Sequence, residues 1–133
     1  MMIKDNIKIK NTFIIKLENG DDILKGLKRE IKEAEIENGI IVNGIGSTSS
    51  YHIHVVKSVD LPPEELYKKE NAPFDVVNMQ GYIMDGEIHA HISMADANDC
   101  SQYGGHLEEG CKVLTFCIIT ILETTLIDKL DDF

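Results

Sequence analysis

Basic residues are scarce in this chain: 13 Lys and Arg stand against 23 Asp and Glu in 133 residues, a formal charge of −10. A field of that sign repels phosphate backbones and anionic lipid heads, so bare DNA binding starts at a disadvantage. Long apolar runs are missing too. No stretch approaches the roughly eighteen uninterrupted apolar residues of a membrane span, and MMIKDNIKIK at the start lacks the continuous apolar core of a secretory signal. The expectation is a cytoplasmic protein with no membrane partner. The three cysteines, Cys100, Cys111 and Cys117, are odd in number and follow no paired spacing, which argues against a disulfide frame or a thiolate zinc ribbon. Cys117, in VLTFCIITIL, reads as a small buried hydrophobe. There is no GxSxG elbow and no Walker loop, and NGIGS is not a full dinucleotide fingerprint, so triad-hydrolase, nucleotide-phosphate and Rossmann readings lack support.

What is present is enough for one domain. At 43% hydrophobic residues the chain can build a real core without disulfides or a structural metal, and no repeat, low-complexity tract or Pro/Ser-rich linker divides it. Thr12 to Leu17 reads as a strand. Ile23, Leu24, Leu27, Ile31 and Ala34 recur at helical spacing, with Asp21 or Asp22 as the cap and Asn38-Gly39 as the expected left-handed stop. Ile40 to Ser47 is a strand whose two glycines point to a bulge or a close backbone approach, and Tyr51 to Lys57 is another. Ser58 to Pro73, which holds all three prolines, is expected to be an exposed loop, with EELYKKE forming about two helical turns. Phe74 to Met84, Asp85-Gly86 and Glu87 to Ala95 form a strand, a tight turn and a strand. After the polar loop DANDCSQYGG, Cys111 to Leu122 is apolar on both alternating faces: Val113, Cys117, Ile119 and Ile121 on one, Leu114, Phe116, Ile118 and Leu122 on the other. With one long helix to cover the sheet, a second copy of the chain is the economical cover for the other face. The tail ETTLIDKLDDF is expected to be a short helix anchored by Leu126, Ile127 and Leu130.

The chemistry lies in the histidines. Four of the five form two His-x-His pairs on strands, and the fifth, His106, follows Gly104-Gly105 in an expected glycine turn. Residues two apart on a strand share a face about 6.6 Å apart, so His89 and His91 can converge on one ion at zinc's ~2.0–2.1 Å bond length. The glycine pair lets the backbone carry His106 close to them. Three neutral imidazoles with one open position is the pattern of a catalytic rather than a structural metal centre. The plainer reading, two exposed polar residues and a loop histidine, suits a lone pair better than three histidines placed in this way. His52 and His54 have no evident third ligand; they could enlarge the polar pocket, support the first site from behind or hold another ion. Asp75, Glu87, Asp96, Asp99, Glu108 and Glu109 are the nearby carboxylates, with Glu108 or Asp96 as candidate proton carriers.

The order NGIGS (43–47), PFDVVNMQGYI (73–83), HAHIS (89–93), GGHLEEG (104–110) and a closing hydrophobic strand resembles the plants-and-prokaryotes conserved (PPC) domain, from about Thr12 to Glu123. The resemblance implies an α/β fold of α+β type with a mostly antiparallel mixed sheet, assembly as a homotrimer, and a divalent transition metal, zinc first, held by His89, His91 and His106. It also implies kinship of fold with acetolactate decarboxylase, a zinc enzyme, so that beside a metal-binding protein of unspecified activity the alternative is a metal-dependent lyase or hydrolase acting on a small carbonyl compound. Plant members add AT-hooks that bind A·T-rich DNA; this chain has no Arg-Gly-Arg core, so DNA is not expected as a partner, and a DNA-associated oligomerising module is the remaining alternative. Asp75 stands where the family usually has Glu, and the His52/His54 pair is not a family feature.

Overall fold

The computed structural model describes residues 3–127. In chain order the elements are β1 (Ile9–Glu18), α1 (Ile23–Glu33), β2 (Gly39–Thr48), β3 (Tyr51–Val56), β4 (Glu65–Glu70), β5 (Phe74–Met84), β6 (Glu87–Asp96), β7 (Gln102–Leu107) and β8 (Val113–Thr124). The strands form one eight-stranded sheet in the order β1-β8-β2-β5-β6-β7-β3-β4, with every neighbouring pair antiparallel.

A two-residue connection bends this sheet. Ser49 and Ser50 alone join β2, third in the order, to β3, seventh. Three Cα steps reach at most about 11 Å, whereas four strand spacings in a flat sheet are about 19 Å. The sheet must therefore roll up until these ends meet. The closure is recorded where Tyr51 on β3 packs edge-on against Phe74 on β5, three places away in the order, with ring centroids 4.7 Å apart. The concave face holds the core. Leu17, Ile41, Tyr51, Ile53, Met79, Ile83, Ile92, Met94, Leu107, Ile119 and Ile121 lie there in a single cluster with Ile23, Leu27 and Ile31 of the helix.

Helix α1 forms where its apolar stripe and caps agree. Asp22 accepts from Lys25 N–H at 3.1 Å through one carboxylate oxygen and from Gly110 N–H at 2.6 Å through the other, which ties the helix start to the β7–β8 loop. The helix ends earlier than Asn38-Gly39. Ile36 folds back onto the core with its N–H on Ile31 O, and Glu35, at φ 56°, takes the left-handed position and bonds Lys32 O. Gly39 opens β2 instead.

The Asp85-Gly86 hairpin is as expected, both residues left-handed at φ 51° and 76°. So is the close approach in β2: a Cβ on Gly46 would strike Phe116 O and lie 2.7 Å from Cys117 Cα, beside a register shift between Gly46 and Thr48. Cys111 and Cys117 are buried and free, and burial pushes their thiols up to about 11 and about 12.

Three further expectations need correction. Glu65–Glu70 is not helical: six residues are too few to hold a helix alone, while β3 offers an unpaired edge, and Tyr67 lands opposite His54. All six residues of β4 are exposed, and their charges discourage further edge pairing. Second, His106 lies within strand β7 rather than in a turn; that strand takes up the second half of the expected polar loop. Within a single chain β8 is covered on one face, which leaves the other as the face expected to take a second copy. Val113, Cys117, Ile119 and Ile121 are buried, while Leu114 and Phe116 are exposed and Ile118 and Leu122 half-buried. Third, Glu123 and Thr124 close β8 and residues 125–127 carry no helix; Ile127 is buried, and Leu130 lies outside the described residues.

Gly46→Ala is expected to cost about 1–3 kcal/mol in urea unfolding, because the added methyl meets backbone that cannot step aside. Val59→Ala, at a fully exposed position, should change the midpoint little.

Candidate metal centre

Strand parity puts His89 and His91 on the convex face, with Ala90 and Ile92 turned into the core. His106 comes to them by register, since β7 places it directly opposite His91. The glycines before it make the pairing close. A Cβ on Gly104 would lie 2.8 Å from Ile92 O, and one on Gly105 2.6 Å from His54 O, so any larger residue would wedge β7 away from β6 or β3.

The three rings converge. His89 Nε2 is 3.3 Å from His91 Nε2 and 3.3 Å from His106 Nδ1. Ligands bound at ~2.0–2.1 Å around a tetrahedral ion lie about 3.3–3.4 Å from one another, so the nitrogens already have the edge length of a zinc-sized site. Burial first, then the rings of His91 and His54, hold His89 below the ordinary imidazole pKa. Burial, then His54 and His89, do the same for His106, against an opposing pull from Glu108. Both shifts favour the neutral imidazole, the form that ligates.

The second His-x-His pair divides. His52 Nδ1 bonds Glu109 O at 2.8 Å and stays out of the cluster. His54 faces His106, ring centroids 4.3 Å apart, and its Nδ1 donates to Glu108 Oε1 at 2.6 Å. Of the two candidate proton carriers, Glu108 is therefore beside the histidines. Asp96 is not: five positions from His91 on β6, it has opposite parity, and its carboxylate accepts from Asn98 N–H at 2.6 Å in the loop after the strand. Asp99 likewise accepts from Ser101 N–H, and Glu109 pairs with Lys28. Sequence reading missed Glu65, 3.4 Å from His54 Nε2, and Tyr67, whose ring is 5.0 Å from that of His54. The signal was the alternation Glu65, Tyr67, Lys69, hidden by reading the segment as loop and helix.

A model of the Plants and Prokaryotes Conserved (PCC) domain matches residues 4–125. The chain belongs to the PCC domain family. This PCC domain is similar in structure to a metal-containing protein of Archaeoglobus fulgidus (TM-score 0.79, 21% identity, 93% of this chain and 86% of that one). It is similar also to a PPC protein of Pyrococcus horikoshii (TM-score 0.73, 25% identity, 91% and 84%). A third similar structure is a candidate DNA-binding protein of Bacteroides thetaiotaomicron (TM-score 0.75, 24% identity, 87% and 80%). That description runs against the expectation that DNA is no partner. The expected kinship of fold holds at a distance, in a Staphylococcus aureus protein of unknown function similar to α-acetolactate decarboxylase (TM-score 0.55, 17% identity, 86% and 52%). Among curated proteins the chain is 23% identical over 110 residues to the bifunctional protein GlmU of a Synechococcus strain; it spans 16% of that protein's length. Among the described residues no helix is long and apolar enough to cross a membrane.

The lowered pKa values of His89 and His106 fix a sign. Below the ordinary value of about 6.5 the unfolded chain takes up protons that the folded, chelator-treated chain does not, so stability falls as pH drops through this range. The urea midpoint of chelated protein is expected to fall between pH 7 and pH 5. The fall should be smaller in a His89→Gln/His106→Gln double variant.

Proposed function

We propose that this PCC domain is a metal-binding protein that holds one divalent transition ion, zinc first, through His89 Nε2, His91 Nε2 and His106 Nδ1, in a cytoplasmic homotrimer. The observation that carries the reading is the pair of 3.3 Å nitrogen separations, which fit a tetrahedral ion with little movement of the rings. The Archaeoglobus protein described as metal-containing supports it. The donor set supports it as well: three neutral imidazoles leave a divalent ion its charge and a position for water or a small ligand.

Such an ion would polarise a bound carbonyl or bring the pKa of its water towards ~7, the chemistry of a lyase or hydrolase acting on a small carbonyl compound. Of the two candidate proton carriers, Glu108 stands beside the cluster but is bonded to His54 on the side of His106 away from the ion, and Tyr82, the direct cross-strand neighbour of His89, borders the approach.

The homotrimer rests on the family resemblance for its number and on the convex face for its surface. Leu122, Ile40 and Tyr82 are successive cross-strand partners, and Ile45 pairs with Ile118 beside Phe116. Ile14, Ile45 and Tyr82 are 73%, 50% and 48% exposed, too much contiguous apolar surface for a solitary chain. A second reading, an oligomerising module associated with DNA, is favoured by what the Bacteroides protein is called and opposed by the charge of −10.

Elemental analysis of untagged protein is expected to find one ion per chain, and none in His89→Ala/His91→Ala/His106→Ala, with the oligomer intact in both. Wild-type protein free of stoichiometric metal would sink the reading. Ile45→Glu with Phe116→Asp should give a smaller species in sedimentation. Duplex DNA should not shift at low salt, where phosphate contacts are strongest.

A further inference from the structure

A ring that ligates through Nδ1 must keep its proton on Nε2, because neutral imidazole has one N–H and the ligating nitrogen needs its lone pair. His106 Nδ1 faces His89, so its Nε2 points the opposite way, toward β3, and there lies Glu108 Oε1, 3.9 Å off. We propose that Glu108 is the positioning residue of the centre, the acceptor that fixes His106 in the Nε2–H tautomer and turns Nδ1 toward the other two histidines. The inference rests on the metal-site reading above.

Three observations hold Glu108 to that task. Two residues after His106, it keeps the same strand parity, and its own N–H is fixed on His52 O at 3.0 Å. Its Oε1 accepts from His54 Nδ1 at 2.6 Å, a separation typical of a charge-assisted bond. His54 is braced in turn by Glu65 of β4, with Nε2 and Oε2 3.4 Å apart. The chain Glu65–His54–Glu108–His106 thus crosses from the sheet edge to the ion site and gives a task to the histidine and carboxylate that the first site leaves over. A shift of about 1 Å would bring Glu108 Oε1 from 3.9 Å to hydrogen-bond distance of His106 Nε2.

His54, His106 and Glu108 also group closely enough to be considered as ligands of a second ion. The spacing argues otherwise: 2.6 Å and 3.9 Å are a hydrogen bond and a gap, unlike the two 3.3 Å separations from His89 in the first trio.

Two measurements test the proposal. In zinc competition against a chromophoric chelator, Glu108→Ala is expected to weaken binding 10–100-fold. Glu108→Gln, which keeps an acceptor oxygen, should recover most of the loss, and His54→Ala should fall between. In chelated protein, imidazole ¹⁵N shifts should place the His106 proton on Nε2 in wild type and on a mixture of both nitrogens in Glu108→Ala. Unchanged zinc affinity in Glu108→Ala overturns the proposal. So does a wild type that binds two ions per chain where Glu108→Ala binds one, since Glu108 is then a ligand. If wild type binds no zinc, the parent reading fails, and the tautomer measurement still decides the role of Glu108.

Discussion

The two residues between β2 and β3 constrain everything else in this molecule. Because Ser49 and Ser50 cannot span four strand spacings, the sheet closes on itself, and the closure does two things at once. It makes an interior from a sheet that has one helix to cover it. It also brings β3 alongside β7, which sets His54 directly opposite His106 in register. The glycines serve the same geometry. Gly46 lets β2 meet β8 closely, and Gly104 and Gly105 let β7 fit between β6 and β3 without pushing either away.

Features governed by short-range rules were legible in the sequence. The Asp85-Gly86 hairpin, the Asp22 cap, the helical stripe and the shared face of His89 and His91 each depend on residues a few positions apart. What failed depended on distant strands. Glu65–Glu70 is a strand because β3 presents it with an open edge, and nothing local says so. His106 is likewise on a strand because β6 and β3 flank it. The convergence of His89, His91 and His106 was anticipated from ligand count and the glycine pair, but the grouping of His54, Glu108 and Glu65 required the sheet order, which no spacing along the chain encodes. Asp96 shows the converse: close to His91 in sequence, it is excluded by strand parity alone.

Electrostatics act at two ranges here. Over the whole chain the charge of −10 sets the long-range field, attractive to cations and repulsive to phosphate. Within the cluster, burial and the crowding of imidazoles disfavour additional protons on His89 and His106. The two effects would act together on a divalent cation: the field draws it in, and the cluster holds lone pairs for which protons compete poorly.

The convex face joins these themes. Leu122, Ile40, Tyr82 and His89 are successive cross-strand neighbours, so the apolar surface runs without a break into the histidines. A chain that covers this surface with another copy also strips water from the near side of the cluster. Removing water raises the cost of an imidazolium, whereas a divalent ion can exchange its own hydration for three nitrogens. Assembly and metal affinity would then draw on the same desolvation. This gives a physical reason for an exposed apolar sheet face and a histidine cluster to lie side by side on one surface.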